Sequence, residues 1–120
     1  MFNLNTSVHF QKIIEESPAP GIENSIIQEM SECAVNFATN QHYEGAGTVE
    51  FIYDIDEKNF YFLEMNTRIQ VEHPVTEVTT NLDLVEMQIK FALKMNDYKA
   101  HQDDVDRSGH AIECLSLIHI

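Results

Sequence analysis

The sequence predicts an α+β fold, an antiparallel sheet that includes a β-hairpin and is flanked by helices. Apolar residues recur at helical spacing over residues 26–37 and again after Asp83. Between those stretches lie TVEFIY and FYFLEM, rich in aromatic and β-branched residues and separated by the turn-forming DIDEKN. An order of helix, hairpin, helix and strand suits an antiparallel sheet with helices packed against it.

Each element has its own signals. Pro18, Pro20 and Gly21 break regular structure ahead of the first helix, and Glu23, Asn24 or Ser25 can cap it. Ile26, Ile27, Met30, Cys33, Ala34 and Phe37 form the apolar stripe of a helix of about 15 residues. Gly45 and Gly47 mark the mouth of the hairpin. With the turn centred on Glu57, Tyr53 faces Tyr61, Phe51 faces Leu63 and Glu50 stands opposite Glu64. Pro74 cannot donate to a ladder and disfavours helix at His73, so the extended run ends there and VTEVTT makes a short helical turn. After Asp83, residues Leu84, Met87, Phe91, Ala92 and Met95 recur at helical spacing, with Asn96 as a stop. Residues 95–108 read as a polar surface loop and residues 110–120 as a closing strand. No internal repeat or low-complexity tract interrupts this order.

A chain of 120 residues with 43% hydrophobic and 22% charged residues suits one small domain. The balance of 7 Lys plus Arg against 20 Asp plus Glu, a formal charge of −13, excludes nucleic acid as a partner, because phosphate backbones are held by basic patches. Any phosphate handled by so acidic a chain needs a divalent cation. No run reaches the roughly 18 apolar residues of a membrane span, and MFNLNTSVHF lacks the charged start and apolar centre of a signal peptide. No membrane partner is therefore expected, and the compartment is the cytoplasm or an organelle matrix. Cys33 and Cys114 are too few and too far apart for a zinc cluster or a disulfide framework, and both are expected as buried structural thiols.

The densest chemistry lies in FLEMNTRIQVEHPVTE, residues 62–77. In an extended chain the even positions Glu64, Asn66, Arg68, Gln70 and Glu72 share one face, above an apolar footing of Met65, Thr67, Ile69 and Val71. Glu50 opposite Glu64 puts like charges across a strand pair, which is destabilising unless something compensates. Glu50, Glu64 and Asn66 together offer hard oxygen ligands of the kind that suits Mg²⁺ or Mn²⁺. The same spacing also fits a solvated acid pair. Arg68 with Glu72 fits a surface ion pair, and His73 a packing residue.

EMNTRIQVEHPVTE closely resembles the signature of biotin carboxylases, the ATP-grasp component of biotin-dependent carboxylases. QKIIEESPAPGI, EGAGTVEF, NLDLVEMQIKFA and GHAIEC resemble the same family in the same order, over residues 11–114. The resemblance implies that residues 1–114 are the C-terminal part of an ATP-grasp domain, with residues 115–120 a tail outside the family pattern. It implies a ligase in which ATP, divalent cations and bicarbonate give carboxyphosphate, whose carboxyl group passes to a biotin nitrogen. Partners implied are a biotin carboxyl carrier protein or domain, a carboxyltransferase component, and a second copy in a full-length homodimer.

By position, the family assigns Glu50, Glu64 and Asn66 to the metal and ATP to that metal. Arg68 would hold bicarbonate and stabilise the biotin enolate. Gln70 and the backbone of Val71 would bind bicarbonate, Lys12 would orient it, and Glu72 would deprotonate it. The pattern departs at both ends. Phe10 stands where the family has a nucleotide-contacting histidine, and NTSVHF replaces an arginine-rich run. After GHAIEC, LSLIHI replaces an arginine-containing segment. The phosphate lysine, glycine-rich lid and adenine hinge of the family have no counterpart here, so the isolated chain is expected to be inactive. The alternatives are a segment that binds a divalent metal without catalysis, and another ATP-grasp carbon–nitrogen ligase.

Overall fold

The computed structural model describes residues 13–95, 102 and 105–115. The elements run β1 (Ile14–Ser17), α1 (Asn24–Asn40), β2 (Thr48–Asp54), β3 (Asn59–Asn66), α2 (His73–Thr80), α3 (Leu84–Ala92) and β4 (Ala111–Cys114). Among the described residues the strands form two antiparallel pairs, β2 with β3 and β1 with β4. The α+β expectation holds.

α1 covers one face of the hairpin. Its Met30, supported by Ile26 and Ala34, packs on Val49, Phe51, Tyr53, Phe60 and Met65. Phe51 meets Phe60 edge-on at 5.3 Å between ring centroids, and Phe62 reaches Phe37 at 5.1 Å. Such tilted aromatic pairs add to the area they bury. Glu23 occupies the N-cap position of α1 but makes no capping bond, because its carboxylate is drawn 2.7 Å from Lys58 at the hairpin tip. At the other end His42 takes a left-handed φ of 51°, with His42 N–H bonded to Thr39 O and Tyr43 N–H to Ala38 O. That paired closure satisfies the last carbonyls of the helix and turns the chain toward the hairpin.

The hairpin register differs from expectation at the tip and agrees at the base. Glu50 is opposite Glu64, but Phe51 pairs with Phe62, Ile52 with Tyr61 and Tyr53 with Phe60. The turn spans residues 55–58, and Leu63 is the extra residue of a bulge between the two registers. The bulge changes the phase of the strand, so that Phe60, Phe62 and Met65 all face α1 while Glu64 stays with Glu50 on the opposite face.

α2 sits on the second pair of strands, with Val75 and Thr79 buried. Ser17 Oγ lies 3.3 Å from Thr79 Oγ1, and Ser108 N–H donates to Thr79 O. β1 was not anticipated, since IEES shows too few residues and too much charge for a strand signal. It exists through its partner: Glu15 faces Glu113, Glu16 faces Ile112, and His110 Nε2 bonds Glu16 Oε1 at 2.8 Å. The closing strand is regular over β4 alone, and Leu115 N–H continues the pairing to Ile13 O. Residues 116–120 lie outside the described residues, as do Asn96 and most of the predicted loop.

α3 begins as expected, with the Asp83 carboxylate accepting from Glu86 N–H at 2.7 Å. It ends before Met95, because Lys94 adopts a left-handed φ of 55° and Met95 N–H turns back to Lys90 O. Cys33 and Cys114 are both exposed, which corrects the expectation of buried thiols. Cys33 borders the stripe that packs on the hairpin, and Cys114 ends a four-residue edge pair. No helix among the described residues is long and apolar enough to cross a membrane.

Candidate functional site

The polar row is assembled by a strand and a bend together. β3 stops at Asn66, the chain bends at Thr67 and Arg68, and α2 begins at His73 instead of the extended run continuing to that residue. Pro74 is the reason: its missing N–H is harmless in the first turn of a helix, so it starts α2. Strand parity therefore holds only to Asn66. Beyond it Gln70 and Glu72 are buried, whereas Val71, expected as apolar footing, is 67% exposed and Thr67 is exposed too.

The bend returns Gln70 to the hairpin. Glu50, 3% exposed, accepts at the same Oε1 from Gln70 Nε2 and from Asn66 Nδ2, each at 3.0 Å. Asn66 Nδ2 also reaches Glu64 Oε1 at 3.2 Å, so one amide N–H group spans the two opposed carboxylates. The partial positive charge of that nitrogen offsets their repulsion. His73 fastens the bend, with its ring Nδ1 2.9 Å from Gln70 O and its Nε2 3.9 Å from Glu77 Oε2.

The other assigned residues are placed less tightly. Arg68 is exposed, its guanidinium donating to Ile69 O at 3.2 Å. Glu72 is 6% exposed and occupies the N-cap position of α2. Lys12 lies outside the described residues. Sequence reasoning passed over Tyr43, which the structure seats beside the base of the hairpin; the signal available was an aromatic residue directly ahead of the glycines of EGAG.

A divalent cation fits this donor set. Glu50 and Glu64 supply hard carboxylate oxygens on one face, Asn66 turns its amide Nδ2 to both and carries an oxygen on the same group, and Gln70 Oε1 is buried with no hydrogen-bond partner among the described residues, as befits a group that meets a ligand. Among the described residues no group of three or more His, Cys, Asp or Glu side chains converges, so the set is two carboxylates and an amide. That composition favours Mg²⁺ or Mn²⁺ over zinc.

Residues 1–97 match the family model described as carbamoyl-phosphate synthase L chain, ATP binding domain. The chain belongs to this family. Within it the similarity lies with biotin carboxylases, and the fold is part of their ATP-grasp domain. The chain is 54% identical over 104 residues to Biotin carboxylase 1 of Bacillus subtilis, an alignment covering 87% of the chain and 23% of that protein. It is 52% identical over 103 residues to the mitochondrial methylcrotonoyl-CoA carboxylase subunit alpha of Rattus norvegicus, covering 86% of the chain and 14% of that protein. The biotin carboxylase domain of Hydrogenobacter thermophilus 2-oxoglutarate carboxylase, solved with MgADP, ADP and bicarbonate, superposes with a TM-score of 0.80 at 41% identity, covering 87% of the chain and 22% of the other. This biotin carboxylase-type chain thus spans about a quarter or less of the length of these relatives.

Proposed function

We propose that the chain supplies the cation- and bicarbonate-handling part of a biotin carboxylase, an ATP-dependent ligase that carboxylates biotin on a carrier protein or domain. The observation that supports this most directly is the buried Glu50 carboxylate opposite Glu64, held by the amides of Asn66 and Gln70. In this reading Glu50, Glu64 and Asn66 hold Mg²⁺ or Mn²⁺. When bound, the ion offsets charge on the ATP phosphates.

The remaining roles follow from side-chain chemistry. Arg68, whose planar guanidinium is exposed within the bend, suits a carboxylate-shaped anion such as bicarbonate and a developing enolate. The Gln70 amide and the Val71 backbone orient bicarbonate. Glu72 takes its proton onto a carboxylate oxygen, which frees the anion for attack on the γ-phosphate. Lys12 orients the same anion. A carboxyltransferase component, a second copy of the full-length protein, and a cytoplasmic or mitochondrial-matrix setting complete the proposal.

The test is steady-state kinetics of a full-length protein carrying this segment. Arg68→Ala should cut biotin carboxylation by roughly a hundredfold or more while leaving the KM for ATP near its starting value. A raised KM for ATP with unchanged turnover would remove Arg68 from the bicarbonate and biotin side.

A further inference from the structure

We propose that Tyr43 is a positioning residue for Asn66, acting through Gly47, and that it thereby tunes the divalent-cation affinity of the Glu50–Glu64 site. The inference rests on the reading of that site as a cation site.

The contacts form a continuous path. Tyr43 N–H is tied to Ala38 O, which fixes the residue to the end of α1. Its hydroxyl donates to Ala46 O at 2.6 Å, so the segment EGA closes around the side chain, with Gly45 at a φ of 119° that a larger residue adopts only under strain. Gly47 then lies between the tyrosine ring and the end of β3. A methyl group on its Cα would sit 3.1 Å from Tyr43 Cε1, 3.0 Å from Met65 Cε and 3.3 Å from Asn66 O. Next along the chain Thr48, itself buried, pairs with Asn66.

Asn66 needs such support. It is the last residue of β3, with the bend directly after it, so no further ladder holds it in place. Its side chain nevertheless touches both carboxylates, and ligand positions must be kept within about 0.5 Å for a small, geometrically demanding ion. A packing role alone would be met by any ring of this size. The short hydroxyl bond to the loop carbonyl fixes where the ring, and through Gly47 the Asn66 backbone, must lie.

The experiment is an Mg²⁺ titration of the 120-residue chain, read from the backbone amide shifts of Glu50 and Glu64 by NMR, with thermal unfolding of each variant alongside. Gly47→Ala should weaken Mg²⁺ roughly tenfold, as expected for a group that orients a ligand, and Tyr43→Phe by a smaller factor. In an Asn66→Ala background neither change should weaken binding further, because the path ends at that residue. Unaltered Mg²⁺ affinity in folded Tyr43→Phe and Gly47→Ala, or effects that add fully to Asn66→Ala, would overturn the proposal while leaving the cation site intact. An Mg²⁺ response unchanged in Glu64→Gln would overturn the cation site and this inference with it. Should Gly47→Ala fail to fold, Tyr43→Phe, which adds no atom, decides alone.

Discussion

Gln70 Nε2 lies 3.0 Å from Glu50 Oε1, a buried bond between residues separated by a strand, a turn, a second strand and a bend. A hydrogen bond to an ionised group is worth about 1.5–3 kcal/mol, and its loss leaves a buried carboxylate less satisfied. Gln70→Leu should therefore lower stability in metal-free buffer by about that amount. Gln70→Glu should lower it further by placing a third carboxylate beside Glu50 and Glu64, yet Mg²⁺ should raise the Tm of Gln70→Glu more than that of the parent chain. Urea unfolding with EDTA measures the first and thermal unfolding with and without Mg²⁺ the second, and equal Mg²⁺ responses would detach Gln70 from the ion.

The opposed glutamates make a second prediction with a change of sign. Without metal, Glu64→Gln relieves a cross-strand repulsion and should stabilise the hairpin by about 0.5 kcal/mol, since the new amide oxygen can still accept from Asn66. With Mg²⁺ or Mn²⁺ present the order should reverse, because the variant loses most of the ion binding. Calorimetric titration beside thermal unfolding tests this; a variant that binds the ion as well as its parent refutes it.

Asp83 offers a check independent of the site. Its side chain accepts from Glu86 N–H, so Asp83→Ala should cost about 1 kcal/mol and Asp83→Ser should restore most of the loss. Chemical unfolding of the two variants suffices. Identical losses in both would assign the effect to charge and not to capping.

The Glu23–Lys58 bridge predicts a pH dependence. The Lys58 hydrogen bond and charge hold the Glu23 carboxyl below its ordinary range, and Glu23 in turn pushes the Lys58 ammonium above its own. A depressed carboxyl contributes stability above its unfolded value that disappears as pH falls through the folded one. A raised ammonium contributes below its unfolded value and fades as pH rises through the folded one. The Tm difference between the chain and Lys58→Met should thus be greatest near neutrality, close at both extremes and shrink with salt, and it should be small because both groups are exposed. A difference constant in pH would point to packing of the lysine stem instead.

What the sequence made legible was local. The α1 stripe, the two hairpin arms and the helical run after Asp83 each depend on neighbours within a few residues, and the structure has all of them. β1 carries no strand signal because four residues, one apolar, two charged and a serine, acquire strand character only from β4, almost a hundred positions away. The hairpin pattern predicts Glu50 opposite Glu64 but not the tip register, since a bulge inserts one residue that pattern alone does not reveal. Strand parity puts Gln70 and Glu72 on the polar face, whereas a bend ending in Pro74 buries both and returns Gln70 to Glu50. Tyr43 and Gly47 could not be weighed without knowing how closely the loop approaches Asn66.

Leu63 acts as a dislocation in the ladder. Because of it, Phe60 and Phe62 on the tip side and Met65 on the base side can all face α1, while Glu64 keeps step with Glu50 on the other face. Removing Leu63 would heal the fault and still leave Glu64 across from Glu50, whereas adding a residue beside it, with the ladder running on from Phe51 and Phe62, would carry Glu64 past Glu50 to a place opposite Thr48 and separate the two carboxylates. Tolerance to length change at this point is therefore one-sided: the strand can be shortened by one residue at the fault, but not lengthened.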